Sequence, residues 1–167
     1  MMKPITDRGE AGSSLIEVLA AMTILAVGIL GINAMQTSTL KSNQNSYMRT
    51  QAVYLAQDIV ERARSNAQGI EAGNYNDPAP VVTAACQAAA GCTAAQMAAN
   101  DVAQWESAVA ATLPSGAGVV CLDASPDDGT PAAPACSNTG ALYTVKIWWD
   151  DNRDGTLNQR FVMPFQP

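Results

Sequence analysis

The chain has 167 residues, of which 48% are hydrophobic but only 5% aromatic, and its formal net charge is −6. Residues 66–167 hold ten acidic side chains against three basic ones, so they lack the basic patch with which proteins bind a nucleic-acid backbone. The chain has no histidine, which removes the common pairs of a nucleophile and a base. We therefore expect neither a nucleic-acid partner nor an enzyme.

The N-terminal part consists of a polar leader, residues 1–12, and an apolar run of 21 residues, 15–35. This run is long enough to cross a bilayer as a helix, which needs about 20 apolar residues. It is longer than the apolar part of an ordinary secretory signal, and it contains one ionisable side chain, Glu17. A carboxylate at a membrane is costly and indicates a function, so we expect a membrane anchor in which Glu17 has a partner.

After Gln36 the sequence turns polar and has no proline before Pro78. Apolar residues recur there at helical spacing, which predicts one apolar stripe on a helix that continues to about Asn66. The residues of the stripe are Met48, Ala52, Leu55, Ala56, Ile59, Val60 and Ala63. We expect the stripe to pack against a globular domain.

The remaining sequence predicts a small α+β domain. Residues 68–93 are rich in Gly, Ala, Asn and Pro and predict a loop, after which Thr93 caps a second helix with Trp105 as a core residue. A second loop is expected at residues 123–140. Strands are predicted at residues 118–122, 142–149 and 159–165, the last two as a hairpin, in an antiparallel sheet of three or four strands.

The four cysteines, Cys86, Cys92, Cys121 and Cys136, all follow the apolar segment. An even number in a small exported domain indicates disulfides, and a Cys₄ zinc site would favour pairs spaced C-x₂-C, which are absent. Three pairings are possible. We favour the sequence-local one, Cys86–Cys92 and Cys121–Cys136, of which the second would contribute about 3 kcal/mol by closing its loop.

Residues 150–155, DDNRDG, fit the first half of a calcium loop, with Asp150, Asn152 and Asp154 as oxygen ligands. The twelfth position is Phe161, where a full loop has glutamate, and an ordinary hairpin turn explains the same residues. Calcium is the only cofactor that the sequence suggests. Neighbouring carboxylates at residues 127–128 and 150–151 leave acid–base chemistry open, although turn-like loops usually hold solvated acids.

Residues 12–19, GSSLIEVL, resemble the class III signal of type IV pilins and pseudopilins. The resemblance implies that a prepilin peptidase cuts between Gly12 and Ser13, that Ser13 is then N-methylated, and that Glu17 serves assembly as the fifth residue of the mature chain. The family usually has phenylalanine where this chain has Ser13. Cleavage would create an ammonium group in an apolar bundle, with which the carboxylate of a neighbouring subunit can pair.

Residues 100–120 resemble the middle of PilV-type minor pilins, an Asp-hydrophobic-x-x-Trp helix followed by Leu-Pro-x-Gly, and residues 146–155 resemble their C-terminal part. The resemblance implies a type IV pilin fold, in which a long N-terminal helix packs against a small antiparallel sheet with a second helix. It divides the chain into a leader (1–12), a transmembrane and polymerisation helix (13–35), its amphipathic continuation (36–66) and a periplasmic globular domain (67–167).

The function that this resemblance implies is a minor pilin in the priming complex, or tip, of a type IV pilus. Its expected partners are other minor pilins, the major pilin, the prepilin peptidase and the inner-membrane assembly platform. Its expected location is the bacterial inner membrane, with a single span, and the pilus after assembly. A minor pseudopilin of a type II secretion system and a calcium-dependent adhesion module at the tip are the alternatives.

Overall fold

The computed structural model describes residues 13–89 and 91–166. It contains three α-helices, α1 (Ser13–Ser65), α2 (Ala67–Glu71) and α3 (Ala94–Thr112), and a short 3₁₀ helix (Ala84–Gln87). The three strands are β1 (Ala117–Leu122), β2 (Tyr143–Trp149) and β3 (Gln159–Phe165). The chain divides between Gln44 and Asn45 into two compact units, so that α1 begins in the first unit and ends in the second.

The strands form one antiparallel sheet in the order β1-β2-β3. Val120 lies opposite Val145 in the first pair of strands, and Val145 lies opposite Met163 in the second. Every residue of the central strand β2 is buried, as expected for a strand covered on both faces. The sheet confirms the predicted α+β fold, with a long helix, a second helix and three antiparallel strands.

One face of the sheet contributes to the main apolar core of the second unit. This core joins the apolar stripe of α1 to one side of α3 and to every second residue of the strands. Its largest buried residues include Ile59, Tyr75, Val102, Trp105 and Ile147. Alternate strand residues point to opposite faces, so the remaining strand residues face the other side of the sheet and need a second layer to cover them.

The second layer is the loop of residues 123–140, whose Cys136 packs on a small cluster formed by Val119, Cys121 and Trp148. The prediction of a loop at residues 68–93 was wrong in part, because the 3₁₀ helix and all but the first residue of α2 lie in this range. The side chain of Asn66 accepts from the N–H of Gly69 and thereby caps α2. The predicted cap of α3 is present, since Thr93 and Gln96 form a reciprocal capping box.

Candidate functional site

The first candidate site is the apolar surface of α1 in the first unit. Twelve large apolar side chains between residues 15 and 35 are each 51 to 74% exposed. They are Leu15, Ile16, Val18, Leu19, Met22, Ile24, Leu25, Val27, Ile29, Leu30, Ile32 and Met35. Water does not favour an apolar surface of this extent, which marks a membrane or protein contact. The helix is long and apolar enough to cross a membrane.

Glu17 is the fifth residue of α1 and its side chain is exposed on this apolar surface. Among the described residues, no hydrogen bond or ion pair is formed by its carboxylate. The leader, including Gly12, lies outside the described residues, so the predicted cleavage after Gly12 and methylation of Ser13 stay predictions. A carboxylate without an internal partner on an apolar helix is suited to pair with a cation of another chain.

The second candidate site is on α3, from which three side chains make hydrogen bonds to separate parts of the second unit. Asn100 Oδ1 accepts from the N–H of Thr83, 3.0 Å away. Asp101 Oδ2 accepts from the hydroxyl of Tyr75 at 2.6 Å. Trp105 is fully buried and its Nε1 donates to the carbonyl oxygen of Leu55 on α1, at 2.8 Å. Asn100, Asp101 and Trp105 therefore connect α3 to other segments of the second unit.

Tyr75 lies where α1, α3 and the intervening segment meet. Burial, together with the hydrogen bond to the carboxylate of Asp101, raises the pKa of the Tyr75 hydroxyl well above its usual value. Asn66 Nδ2 donates both to that hydroxyl, at 3.3 Å, and to the carbonyl oxygen of Ala94, at 2.8 Å. No pattern in the sequence points to Asn66 and Tyr75, because these two residues form hydrogen bonds to residues far away along the chain.

The third candidate site is a buried ion cluster on the loop face of the sheet. Lys146 and Asp123 are both 0% exposed, and Lys146 Nζ lies 2.6 Å from Asp123 Oδ2. Lys146 Nζ also lies 2.8 Å from Asp128 Oδ1 and donates to the carbonyl oxygens of Asp128 and Pro134. A buried ammonium group is tolerated when it is paired and hydrogen-bonded in this way.

The two carboxylates of this cluster are held in their charged form. Burial alone would raise the pKa of Asp123, but the ammonium of Lys146 and the N–H of Ser125 outweigh burial and lower it. Hydrogen bonds from Lys146 and from the Ser125 hydroxyl lower the pKa of Asp128. A lone lysine inside the apolar strand sequence LYTVKIWW is the signal by which sequence reasoning could have found this cluster.

A second cation on the same face of the sheet holds the neighbouring acid of the loop. Arg160 lies opposite Trp148 in the strand register, and its Nη2 lies 2.6 Å from Asp127 Oδ1. Its Nη1 donates to the carbonyl oxygen of Gly129. Asp127 and Asp128 therefore pair with separate cations, and this arrangement fastens the loop to the sheet.

The acidic turn between β2 and β3 is organised by its own backbone. Asp150 is buried, and its two carboxylate oxygens accept from the N–H groups of Asn152 and Gly155, at 3.1 and 2.7 Å. Asp154 accepts from the N–H of Thr156. Within residues 13–89 and 91–166, no three His, Cys, Asp or Glu side chains are grouped so as to hold a metal ion. Calcium binding by Asp150, Asn152 and Asp154 stays a prediction, which calorimetry with calcium would test.

The structure has two disulfides, Cys86–Cys92 and Cys121–Cys136, which is the sequence-local pairing. The first closes a loop of the segment between α2 and α3. The second joins the last part of β1 to the loop of residues 123–140, so this loop is held by one covalent bond and by two cations.

Two protein-family models match parts of the chain. Residues 7–33 match the model of the prokaryotic N-terminal methylation motif, and residues 34–103 match the model described as type IV pilin Tt1218. Together the matches run from the leader into α3 and end before the sheet. No curated protein and no solved structure matches the chain significantly.

An apolar helix that is long enough to cross a membrane and that continues into a small α+β domain is typical of a membrane-anchored subunit, and the pilin family that residues 34–103 match is a structural one. Both family matches agree with this class. The chain is a type IV pilin-like protein with a class III signal, and such a signal implies contact with the prepilin peptidase and with other pilus components.

Proposed function

We propose that this chain is a minor pilin of the PilV type, which takes part in priming and assembly of the type IV pilus within an initiation or tip complex. Cleavage after Gly12 would release a mature chain that starts at Ser13 and is N-methylated there. Its membrane segment would lie in the inner membrane, with the second unit in the periplasm, until the assembly platform moves it into the filament.

The observation that carries this proposal is the exposed apolar surface of α1 with Glu17 on it. The surface offers a long helix face to other helices, and Glu17 offers a charge that can pair with the terminal amine of a neighbouring subunit. The minor-pilin subtype is supported by the resemblance of residues 100–120. Three side chains of that segment, Asn100, Asp101 and Trp105, hold the second unit together.

Deletion of the gene and complementation in trans test the proposal. Wild type is expected to restore surface pili and twitching, whereas a Gly12→Val chain is expected to remain a full-length precursor in the membrane. A shortened product from the Gly12→Val chain would contradict the assigned cleavage site. Intact piliation with loss of exoprotein secretion would instead identify a pseudopilin, and intact piliation with loss of attachment would identify an adhesion module.

A further inference from the structure

A groove lies beside the open edge of β1 in the second unit and takes no part in the contacts described above. It has a volume of about 580 Å³ and is lined by Pro80, Ala103, Glu106, Ser107, Ala110 and residues 116–118. One wall is α3, one is the segment before the 3₁₀ helix, and the floor is the first part of β1. Its lining mixes small apolar side chains with one carboxylate.

The open edge of β1 is only half covered by the chain itself. The N–H of Asp77 donates to the carbonyl oxygen of Val120, and the side chain of Asn76 accepts from the N–H of Leu122. Backbone groups alternate in direction along an antiparallel strand, so Gly118 also turns its N–H and C=O outward, into the groove. No partner for these two groups lies among the described residues.

The two edges of the sheet differ in a way that leaves β1 receptive. On β3 the outward position opposite Thr144 is occupied by Pro164, which has no N–H and hinders further strand addition. On β1 one of the outward positions is Gly118, opposite Ile147. A Cβ there would clash with the ring of Trp105, so the packing of Trp105 keeps this position a glycine.

The charges at the groove are unbalanced. Burial and the nearby charge of Asp77 raise the pKa of Glu106. Among the described residues, neither Glu106 nor Asp77 forms an ion pair. The cations of the second unit that do form ion pairs are paired with Asp58, Glu61 or acids of the loop of residues 123–140. A ligand that brings a positive charge would relieve this repulsion.

We propose that the groove beside β1 binds an extended, basic segment of a partner protein, which adds a strand at Gly118 and places a Lys or Arg side chain against Glu106 and Asp77. Main-chain hydrogen bonds give such strand addition its affinity, and the side chain in the groove gives it its selectivity. This inference goes beyond the proposed pilus role, because it rests on the groove, the open edge of β1 and the charges beside them, and not on the family matches.

The test uses the detergent-solubilised full chain and three synthetic pentapeptides. The probes are acetyl-Lys-Val-Lys-Val-Lys-amide, its acidic counterpart with Glu in place of Lys, and its counterpart in which each Lys is N-methylated on the main chain. Amide hydrogen exchange by NMR is expected to show protection of the Gly118 N–H with the first peptide alone. An unprotected Gly118 N–H overturns the proposal. Equal binding of the N-methylated peptide, which has the same charge but lacks the main-chain donors of the residues that face Glu106 and pair with β1, also overturns it.

Matched variants then locate the site. Glu106→Lys is expected to weaken binding of the basic peptide by about tenfold or more, whereas Glu71→Lys, a reversal at an exposed acid outside the groove, is expected to leave it unchanged. Ser107→Trp fills the groove, while Ala111→Trp adds the same bulk to an exposed α3 position that does not line it. If neither Glu106→Lys nor Ser107→Trp changes the affinity for the basic peptide, the assignment of the binding site to this groove is overturned.

Discussion

Replacement of Lys146 by methionine is expected to destabilise the second unit strongly, because it leaves the carboxylate of Asp123 buried without its cation. Both side chains are 0% exposed and their charged atoms lie 2.6 Å apart. The second acid, Asp128, keeps 44% of its side chain in solvent and can hydrate when the cation is gone. The loss of free energy of unfolding therefore arises mainly from Asp123.

The size of this loss follows from two estimates. Removal of one partner of a buried ion pair costs about 3–5 kcal/mol. Asp123 can also escape by taking up a proton, which at pH 7 costs a carboxyl group of ordinary pKa about 4 kcal/mol. Protonation limits the penalty, so the expected loss for Lys146→Met is about 3–4 kcal/mol at pH 7, a large part of the stability of a typical domain.

Urea unfolding followed by tryptophan fluorescence measures this loss, since Trp105, Trp148 and Trp149 all lie in the second unit. The double variant with Asp123→Asn removes the unpaired charge and is expected to recover about half of the loss. Arg64→Met, which removes an exposed pair with Glu61, is the control and should change stability by less than about 0.5 kcal/mol. A loss below about 1 kcal/mol for Lys146→Met would refute the reasoning.

The pH dependence supplies an independent check on the same cluster. The pKa values of Asp123 and Asp128 are lowered in the folded chain, so their contribution to stability is present above the ordinary carboxyl pKa of about 4 and is lost as the pH falls below it. The stability difference between wild type and Lys146→Met should therefore shrink on acidification. A difference that stays constant down to pH 3 would exclude ionisation of Asp123 as its cause.

Three further predictions concern α1 and α3. Glu17→Ala is expected to spare cleavage of the leader but to reduce surface pili, as judged by immunoblots of sheared filaments and of membranes. Tyr75→Phe leaves the buried Asp101 Oδ2 without its donor and is expected to lower the free energy of unfolding in urea by about 1–3 kcal/mol. Because the pKa of Tyr75 is raised in the folded chain, the greater stability of the wild type should be lost as the pH rises above about 10. Thr93→Ala removes the capping box of α3 and is expected to cost about 1 kcal/mol by the same assay.

Each of these predictions has its own control or contrary outcome. Normal piliation by Glu17→Ala would remove the assembly role of this carboxylate. Tyr47→Phe, at an exposed tyrosine of α1, should leave stability unchanged where Tyr75→Phe lowers it. Thr93→Ser keeps a hydroxyl that can cap and should retain most of the stability, and an equal loss in both Thr93 variants would argue against capping.

The helices and strands could be predicted because their signals are local. The apolar run and the stripe that includes Ile59 give α1, the pair Thr93 and Gln96 gives the start of α3, and alternation gives β2 and β3. The short α2 was missed because five residues carry too little periodicity, and its cap by Asn66 depends on geometry rather than pattern.

The polar contacts of the second unit could not be predicted, since they join residues far apart in the sequence. Asn66, Tyr75 and Asp101 lie on three separate segments, and only the packing of α3 brings them together. Lys146 was visible as a charge inside an apolar strand, but nothing in the sequence assigns its partners. Pairing requires knowledge of which loop covers which face of the sheet.

The two faces of the sheet are stabilised by different forces, and this difference bears on function. The helix face has a continuous apolar core, whereas the loop face has a small cluster around Trp148 that buries too little apolar surface to fix 18 residues of loop. Lys146, Arg160 and the Cys121–Cys136 disulfide supply what that cluster lacks. Because these anchors act on the backbone and acids of the loop, its remaining exposed side chains are free to vary, as suits a surface that contacts other molecules.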